Sequence, residues 1–296
     1  MRKWIIIICL LAVTVKGALW WDGRGDGFEL SKIQSNLPVE SRWDFDYTPE
    51  QYQQALKVLQ QPYKYLAHGF QCYAFESQDG LYVLKFFRHQ RLRLSNFTLN
   101  LPAIPVFEEW RTAKILSMNR RREYLLRSCK TAQKFVPYES GLIYTHLNTT
   151  NNLFPTVEIT DKLGNHYQIE LDNYQFILQF KAEHIKPVLS KLAREGKLQE
   201  AKVRIDQIFA LLADCANKGI QDADSALIYK NNLGFLSDRA IYIDGGKLIP
   251  KESMKQKDRF IKDLNRLKPL LKWMKENEPT LVPLYQQSEK EAIDRF

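Results

Sequence analysis

The sequence predicts an α+β fold with two lobes, because the first half of the chain has the pattern of strands and the second half that of helices. Between residues 63 and 182, short apolar and aromatic runs are separated by turn-forming residues. After residue 184, apolar residues recur at helical spacing over longer stretches. The chain has 296 residues, 45% hydrophobic and 26% charged, which is enough for one large domain or two lobes.

The start of the chain has the pattern of a secretory signal. A basic beginning, MRK, precedes a short apolar run over residues 4–15, and residues 15–17 offer a cleavage site. The run is shorter than a membrane-spanning helix, so an uncleaved anchor fits less well. We therefore predict a signal peptide over residues 1–17 and an exported protein, secreted or periplasmic, with membrane association only through an uncleaved signal.

Residues 18–60 are predicted to form an N-terminal extension with one helix. Residues 18–47 are rich in Gly, Asp, Trp and Ser and look irregular. The stretch Thr48-Pro49-Glu50-Gln51 marks a helix start, since Thr can cap, Pro suits the first position and Gln completes a capping box. The helix should run to about Gln61.

The first lobe is predicted over residues 61–182 and consists mainly of antiparallel strands. The runs YKYLAHGFQCYAFES and LYVLKFF are separated by the turn Gln78-Asp79-Gly80 and form a hairpin. A helix is expected from Phe107 to about Lys134. Four more strands follow, LIYTHL, TVEITD, HYQIEL and FILQFKA, and Lys162-Leu163-Gly164-Asn165 joins the middle two.

The second lobe, residues 183–296, is predicted to be mainly helical. Helices are expected over residues 186–196, 198–217 and 251–275. Between the last two lies a hairpin of two short strands, LGF and AIYI, joined by Leu236-Ser237-Asp238-Arg239.

Two oxygen-bearing side chains lie at the open end of this hairpin. Asn232 enters its first strand and Asp244 leaves its second, so the hairpin brings them close together. An amide and a carboxylate that share a cation with phosphate oxygens suit Mg²⁺. Asp224 precedes Asn232 on the same loop, where a carboxylate could accept a proton from an attacking hydroxyl. These residue types are also common in turns, so the pattern alone leaves a purely structural role open.

Four motifs in order resemble those of the protein-kinase-like fold, over roughly residues 60–250. Residues 66–75 resemble the glycine-rich hairpin, and Tyr82-Val83-Leu84-Lys85 resembles the Val-Ala-Ile-Lys strand. Residues 218–224 parallel the approach to the catalytic loop, with Asp224 at the aspartate and Asp222 at the histidine. Asn232 is similar to the loop asparagine, and Asp244-Gly245-Gly246 to the Asp-Phe-Gly triplet.

The resemblance implies a two-lobed kinase-like fold with an antiparallel-sheet N-lobe and a shortened helical C-lobe, which bind Mg-ATP between them. In that fold Lys85 neutralises the α and β phosphates, and Gly69 belongs to the loop over the nucleotide. Asn232 and Asp244 hold Mg²⁺. Asp224 orients or deprotonates the acceptor.

Further site residues follow from the same resemblance. The backbone near Gln179 to Lys181 occupies the position of the interlobe hinge and would pair with adenine. A glutamate should pair with Lys85; Glu123 is the first choice, with Glu108 or Glu109 as alternatives. Each of these glutamates could equally be a solvated helix residue.

The chain departs from the family pattern in three respects. Its glycine hairpin keeps only Gly69, which makes a stiffer cover. Asp224 and Asn232 are eight residues apart rather than five, so an insertion around Ala226-Leu227-Ile228 should bulge out, or Asp222 should share the catalytic work. No Ala-Pro-Glu follows Asp244, which indicates an atypical kinase without the usual protein-substrate platform.

Three function classes follow. The first is an exported ATP- and Mg²⁺-dependent phosphotransferase whose acceptor, protein or small molecule, stays undefined. The second is an inactive kinase-like binding module, since the altered glycine loop and longer catalytic loop could mark a loss of turnover. The third is a secreted surface-binding protein that uses Arg24-Gly25-Asp26. The net charge of +9 is scattered apart from Arg120-Arg121-Arg122, so no nucleic-acid partner is expected.

Overall fold

The computed structural model describes residues 26–35, 37–94, 98, 100, 102, 104–224, 227–229 and 231–296. These residues form two compact units. The first contains the described residues up to Ile115 together with His146–Ile177, and the second contains Leu116–Thr145 and Leu178–Phe296. Residues 116–145, which the sequence-based boundaries group with the first lobe, thus belong to the second unit. The predicted signal peptide and the first two residues of Arg24-Gly25-Asp26 lie outside the described residues.

A seven-stranded sheet follows the order β4-β7-β3-β2-β1-β5-β6. The pairs β1–β2, β2–β3 and β5–β6 are antiparallel, and β1–β5 is parallel. All seven strands fall in the predicted runs, which confirms the strand-rich first part of the chain. Their bounds are β1 Tyr63–His68, β2 Cys72–Ser77, β3 Tyr82–Phe87, β4 Leu142–His146, β5 Thr156–Thr160, β6 His166–Glu170 and β7 Phe176–Phe180.

The first unit is held together by aromatic packing on this sheet. The ring of Phe28 meets those of Tyr73 and Phe75 edge-on, with centroids 5.2 and 5.3 Å apart. Phe75 in turn contacts Phe86 on β3. Because Phe28 precedes the first predicted helix, part of the N-terminal extension is built into the core of this unit.

Before β4, the described part of the chain contains the helices α1 (Leu30–Ile33), α2 (Pro49–Val58) and α3 (Pro105–Phe135). The predicted capping box starts α2: the Thr48 hydroxyl accepts from the Gln51 backbone N–H at 3.3 Å, and the Thr48 N–H donates to the Gln51 side chain at 3.0 Å. The predicted helix after Pro105 corresponds to α3.

The second unit is mainly helical, as predicted. Its short strands form a three-stranded sheet, β11-β10-β8, and a two-stranded sheet, β12-β9. The predicted helix over residues 251–275 is instead a 3₁₀ turn, Glu252–Lys255, followed by two α-helices that a second 3₁₀ turn, Asn265–Leu267, separates. A C-terminal helix that the sequence did not predict comes next. The elements are β8 Glu183–His184, α4 Ile185–Arg194, α5 Leu198–Asn217, β9 Ile220–Asp222, β10 Leu233–Phe235, β11 Ala240–Tyr242, β12 Leu248–Pro250, α6 Lys257–Leu264, α7 Lys268–Asn277 and α8 Val282–Arg295.

The core of this unit surrounds α5. One face of α5 is buried, including Ile205, Ile208 and Phe209, and the Phe209 ring meets Tyr285 of α8 with centroids 5.2 Å apart. Among the described residues, no disulfide joins Cys72, Cys129 and Cys215. None of the helices in the described part of the chain has the length and apolar content that a membrane span requires.

Candidate functional site

The β10–β11 hairpin places Asn232 and Asp244 at the same end, as predicted. Leu233 pairs with Tyr242, and the N–H of Ile243 donates to the Asn232 carbonyl at 2.8 Å. Asp244 is the next residue. Gly234 allows β10 to lie close to its neighbours, since a Cβ there would come within 2.7 Å of the Ala182 Cβ.

The side chain of Asn232 contacts that of Asp224. Its Nδ2 donates to Asp224 Oδ2 at 3.0 Å, and both residues are buried. The two predicted residues are therefore in contact, although they are eight positions apart in the chain. Ala226 lies outside the described residues, but Leu227 and Ile228 are 1% and 2% exposed and belong to the core of the unit. The expected outward bulge is wrong at these two positions, because their apolar side chains gain more from burial than from exposure.

Asp224 has a second partner that the sequence reading missed. Lys247 Nζ lies 2.9 Å from Asp224 Oδ1. The hydrogen bond to Asp224 raises the pKa of Lys247, so its ammonium stays charged. In the sequence, this partner could have been suspected only from the position of Lys247, three residues after Asp244.

Asp222 is buried in an ion pair. Arg266 Nη2 donates to Asp222 Oδ2 at 2.7 Å and to the Asp224 carbonyl at 3.0 Å. The backbone N–H of Asp224 donates to Asp222 Oδ1 at 2.8 Å. Burial raises the pKa of Asp222, and the guanidinium of Arg266 opposes that rise. Asp222 and Arg266 thus fix the backbone that carries Asp224; a direct catalytic part for Asp222 stays a prediction. We call Asp222, Asp224, Asn232, Lys247 and Arg266 the Asp224 cluster.

The loop of Asp244 is attached to α3. Asp244 is exposed, and its Oδ1 accepts from the N–H of Gly246 at 3.0 Å. Ser128 Oγ on α3 lies 2.8 Å from the Gly245 carbonyl and 3.0 Å from that of Leu248, so its hydroxyl donates to this carbonyl pair. One turn earlier on α3, burial raises the pKa of the Tyr124 phenol, and the positive charge of Lys247 opposes that rise.

In the predicted hinge, the side chain of Gln179 holds the backbone of neighbouring segments. Gln179 is buried, and its Nε2 donates to the carbonyls of Ser140 at 2.6 Å and Tyr242 at 2.9 Å. The N–H of Phe180 donates to the Gly141 carbonyl at 2.9 Å and is thereby engaged. Lys181 is half-buried. Pairing of adenine with this backbone stays a prediction.

The remaining predicted residues lie on α3 and in the first unit. Glu123 accepts from Arg127 on the next turn at 2.6 Å, and the alternatives Glu108 and Glu109 are exposed. Lys85 is half-buried on β3, opposite Ala74. Gly69 is exposed in the β1–β2 turn, where its carbonyl accepts from Arg88 at 2.8 Å. A Cβ at Gly69 would meet nothing within 4 Å.

The donor set at the hairpin end suits Mg²⁺ bound together with phosphate. Asn232 Oδ1 and Asp244 Oδ2 take part in no hydrogen bond within the described residues, so two hard oxygens remain for a cation. In the same part of the chain, no three His, Cys, Asp or Glu side chains are grouped to hold a metal by themselves. A site with few protein oxygens that relies on phosphate is characteristic of Mg²⁺ rather than of a closed structural metal site.

Solved structures similar to this chain include a bifunctional enzyme and an antibiotic complex. No family model and no curated protein matches the chain. The bifunctional kinase-methyltransferase WbdD is similar at 16% identity and a TM-score of 0.34, over 74% of this chain and 43% of the WbdD chain. The streptomycin-ATP-APH(2″)-IIa ternary complex is similar at 13% identity and a TM-score of 0.30, over 85% of this chain and 90% of that one. Similarity at this level does not assign a reaction to the chain.

Proposed function

We propose that the protein is an atypical ATP-dependent phosphotransferase. The observation that carries this proposal is the contact between Asn232 and Asp224, with Asp244 at the same end of the hairpin. Two carboxylates and an amide of the second unit are thereby brought to the same hairpin end. Their order in the chain is that of the kinase-like motifs.

Each residue has a part in this proposal. Mg²⁺ would supply positive charge to the phosphates, and Asn232 Oδ1 and Asp244 Oδ2 would hold it. Lys85 would neutralise the α and β phosphates, and the turn at Gly69 would cover them. The oxygen of the acceptor hydroxyl would bond to the γ-phosphorus, and its proton would pass to Asp224. At the same time, the bond between the γ-phosphorus and the oxygen of the leaving ADP would break.

The first test is thermal unfolding of the full chain with ATP and Mg²⁺. A nucleotide at about 100 times its Kd stabilises a protein by about 2.7 kcal/mol, a shift of a few degrees. We expect this shift to require Mg²⁺ and to be absent in Asp244→Ala. Asp258→Ala, which removes an exposed carboxylate on α6, is the matched control and should retain it. If the protein is folded and its unfolding temperature does not change with any nucleotide, the proposal is excluded.

A second test separates an enzyme from a binding module. In an active enzyme, Asp224→Asn should retain nucleotide binding and lower the rate of ADP formation by about 10²-fold or more, since the base is removed. Equal, near-zero ADP formation by the wild type and the variant, with binding intact, would favour the inactive module. The third class, a surface-binding protein, has less support, because Asp26 of Arg24-Gly25-Asp26 accepts from Lys162 at 2.9 Å and from Tyr65 at 2.8 Å.

Export belongs to the same proposal. We expect the mature chain to begin after residue 17, because residues 1–17 have the signal pattern. N-terminal sequencing of the protein recovered outside the cytoplasm tests this. Recovery of the whole chain in the cytoplasm would contradict it.

A further inference from the structure

Lys247 is held beside the predicted base by its backbone. The Ala223 N–H donates to the Lys247 carbonyl at 2.9 Å, and the next residue, Leu248, pairs with Asp222. Asp222 thus lies on one strand of this two-stranded sheet, and Lys247 immediately precedes the other, β12. The ammonium reaches Asp224 Oδ1 from this fixed position.

The contact leaves part of the ammonium accessible. The side chain of Lys247 is 35% exposed, whereas that of Asp224 is 5% exposed. An ammonium has three N–H donors, and Asp224 Oδ1 takes one of them. Arg266 balances the charge of Asp222, and Asn232 gives Asp224 a hydrogen bond but no charge, so Lys247 is the cation paired with Asp224.

The approach of a phosphate adds negative charge beside this ion pair, beyond what Mg²⁺ on Asn232 and Asp244 would offset. The terminal phosphate of a nucleotide would face the carboxylates of Asp224 and Asp244, and like charges at such distances repel strongly outside bulk water. A cation between the base and the phosphate removes this repulsion and matches the charge on the transferred group.

We propose that Lys247 is a further catalytic residue, whose ammonium binds the terminal phosphate of the nucleotide beside Asp224. This inference rests on the proposed function. When phosphate is bound, the ammonium bridges Asp224 and a terminal phosphate oxygen. During transfer it stays with the phosphoryl group, and Asp224 Oδ1 is released to take the acceptor proton.

The test compares a triphosphate with a diphosphate. The Kd values of ADP and of the non-hydrolysable β,γ-imido analogue of ATP are measured with Mg²⁺ on the full chain by titration calorimetry. In Lys247→Met we expect the Kd of the triphosphate to rise about tenfold or more and that of ADP to change less than about twofold, since only the triphosphate carries the terminal group. Lys247→Arg should restore most of the difference, because it returns the positive charge.

Lys251→Met is the matched control. It removes the same charge four residues later, from a lysine whose Nζ donates to Gln221 at 2.7 Å, and should change neither Kd. If Lys247→Met changes the Kd of both nucleotides equally, or changes neither, Lys247 does not bind the terminal phosphate. The proposed function would stand in that case. Wild-type protein that binds neither nucleotide would instead overturn the proposed function, and the assignment with it.

Discussion

The Asp224 cluster of the second unit and the β1–β2 turn of the first carry motifs of the same predicted site, but they are stabilised differently. In the cluster, side chains hold one another: Asp222 has Arg266, and Asp224 has both Asn232 and Lys247. In the turn, the tip is exposed, and the Gly69 carbonyl is held from outside by the side chain of Arg88.

The difference shows what each region can do without a ligand. Mutually bonded and mostly buried side chains keep their geometry before substrate arrives, which favours charge stabilisation in a fixed arrangement. A turn with an exposed tip has room to approach a ligand, but few packing contacts fix its conformation. Substitutions should therefore destabilise the cluster more than the turn.

The largest effect is expected for Asp222→Ala. It leaves the guanidinium of Arg266, whose side chain is 14% exposed, without its closest carboxylate, which should lower the free energy of unfolding by about 3 kcal/mol. Urea denaturation of the full chain measures this. The control, Asp238→Ala, removes a half-exposed partner of Arg239 and should cost less than about 1 kcal/mol. If the two variants lose equal free energy of unfolding, the ion pair of the cluster is no more important for stability than an ion pair at the surface.

Two glycines give the next contrast. An added Cβ at Gly234 would lie 2.7 Å from the Ala182 Cβ, 2.8 Å from the Ile243 Cδ1 and 2.9 Å from the Glu183 carbonyl, so Gly234→Ala should lower stability by about 2 kcal/mol. Gly69→Ala meets open space and should change stability by less than about 1 kcal/mol. The same denaturation measurement ranks the two variants, and the reverse order would contradict the comparison.

Arg88→Met tests the support of the turn. This substitution removes the hydrogen bond to the Gly69 carbonyl and the stacking of the guanidinium over the Tyr73 ring at 4.6 Å, which should lower stability by about 1 kcal/mol. Arg42→Met is the control, because Arg42 stacks over Trp43 at 4.5 Å but is half-exposed. Thermal unfolding of both variants should show the larger loss for Arg88→Met; a larger loss for Arg42→Met would mean that the turn needs no such support.

The smallest effect concerns pH and His146. Burial lowers the pKa of His146, whose Nδ1 donates to the Tyr174 carbonyl at 2.8 Å. The unfolded chain therefore binds a proton more readily, and stability should fall as the pH drops below the unfolded value of about 6.5 toward the lower folded pKa. His146→Gln should flatten this dependence in denaturation series between pH 7 and 5. An unchanged slope would mean that another group is responsible.

Local signals in the sequence predicted much of the fold and part of the site. Thr48-Pro49 and Gln78-Asp79-Gly80 specify a helix start and a turn through the chemistry of adjacent residues, and both are confirmed. The hairpin likewise brings Asn232 and Asp244 to one end, since strand pairing follows from short runs and a turn.

The partners from distant parts of the chain could not be predicted in this way. Arg266 meets Asp222 across 44 residues, and Ser128 meets Gly245 across 117. No local pattern encodes such pairs, because they depend on how helices and strands pack. Lys247 was missed for a related reason: it reaches Asp224 only through the β9–β12 pairing, although it lies three residues after Asp244.

The burial of Leu227 and Ile228 has a consequence for local opening. These residues lie between Asp224 and Asn232, and their side chains are part of the hydrophobic core of the second unit. Movement of Leu227 and Ile228 away from the core would expose their apolar side chains. We therefore expect these two residues to open only when the whole unit unfolds, and not by local unfolding. The Asn232 amide, which donates to the Leu227 carbonyl at 3.1 Å, should then exchange its hydrogen as slowly as the amides of α5.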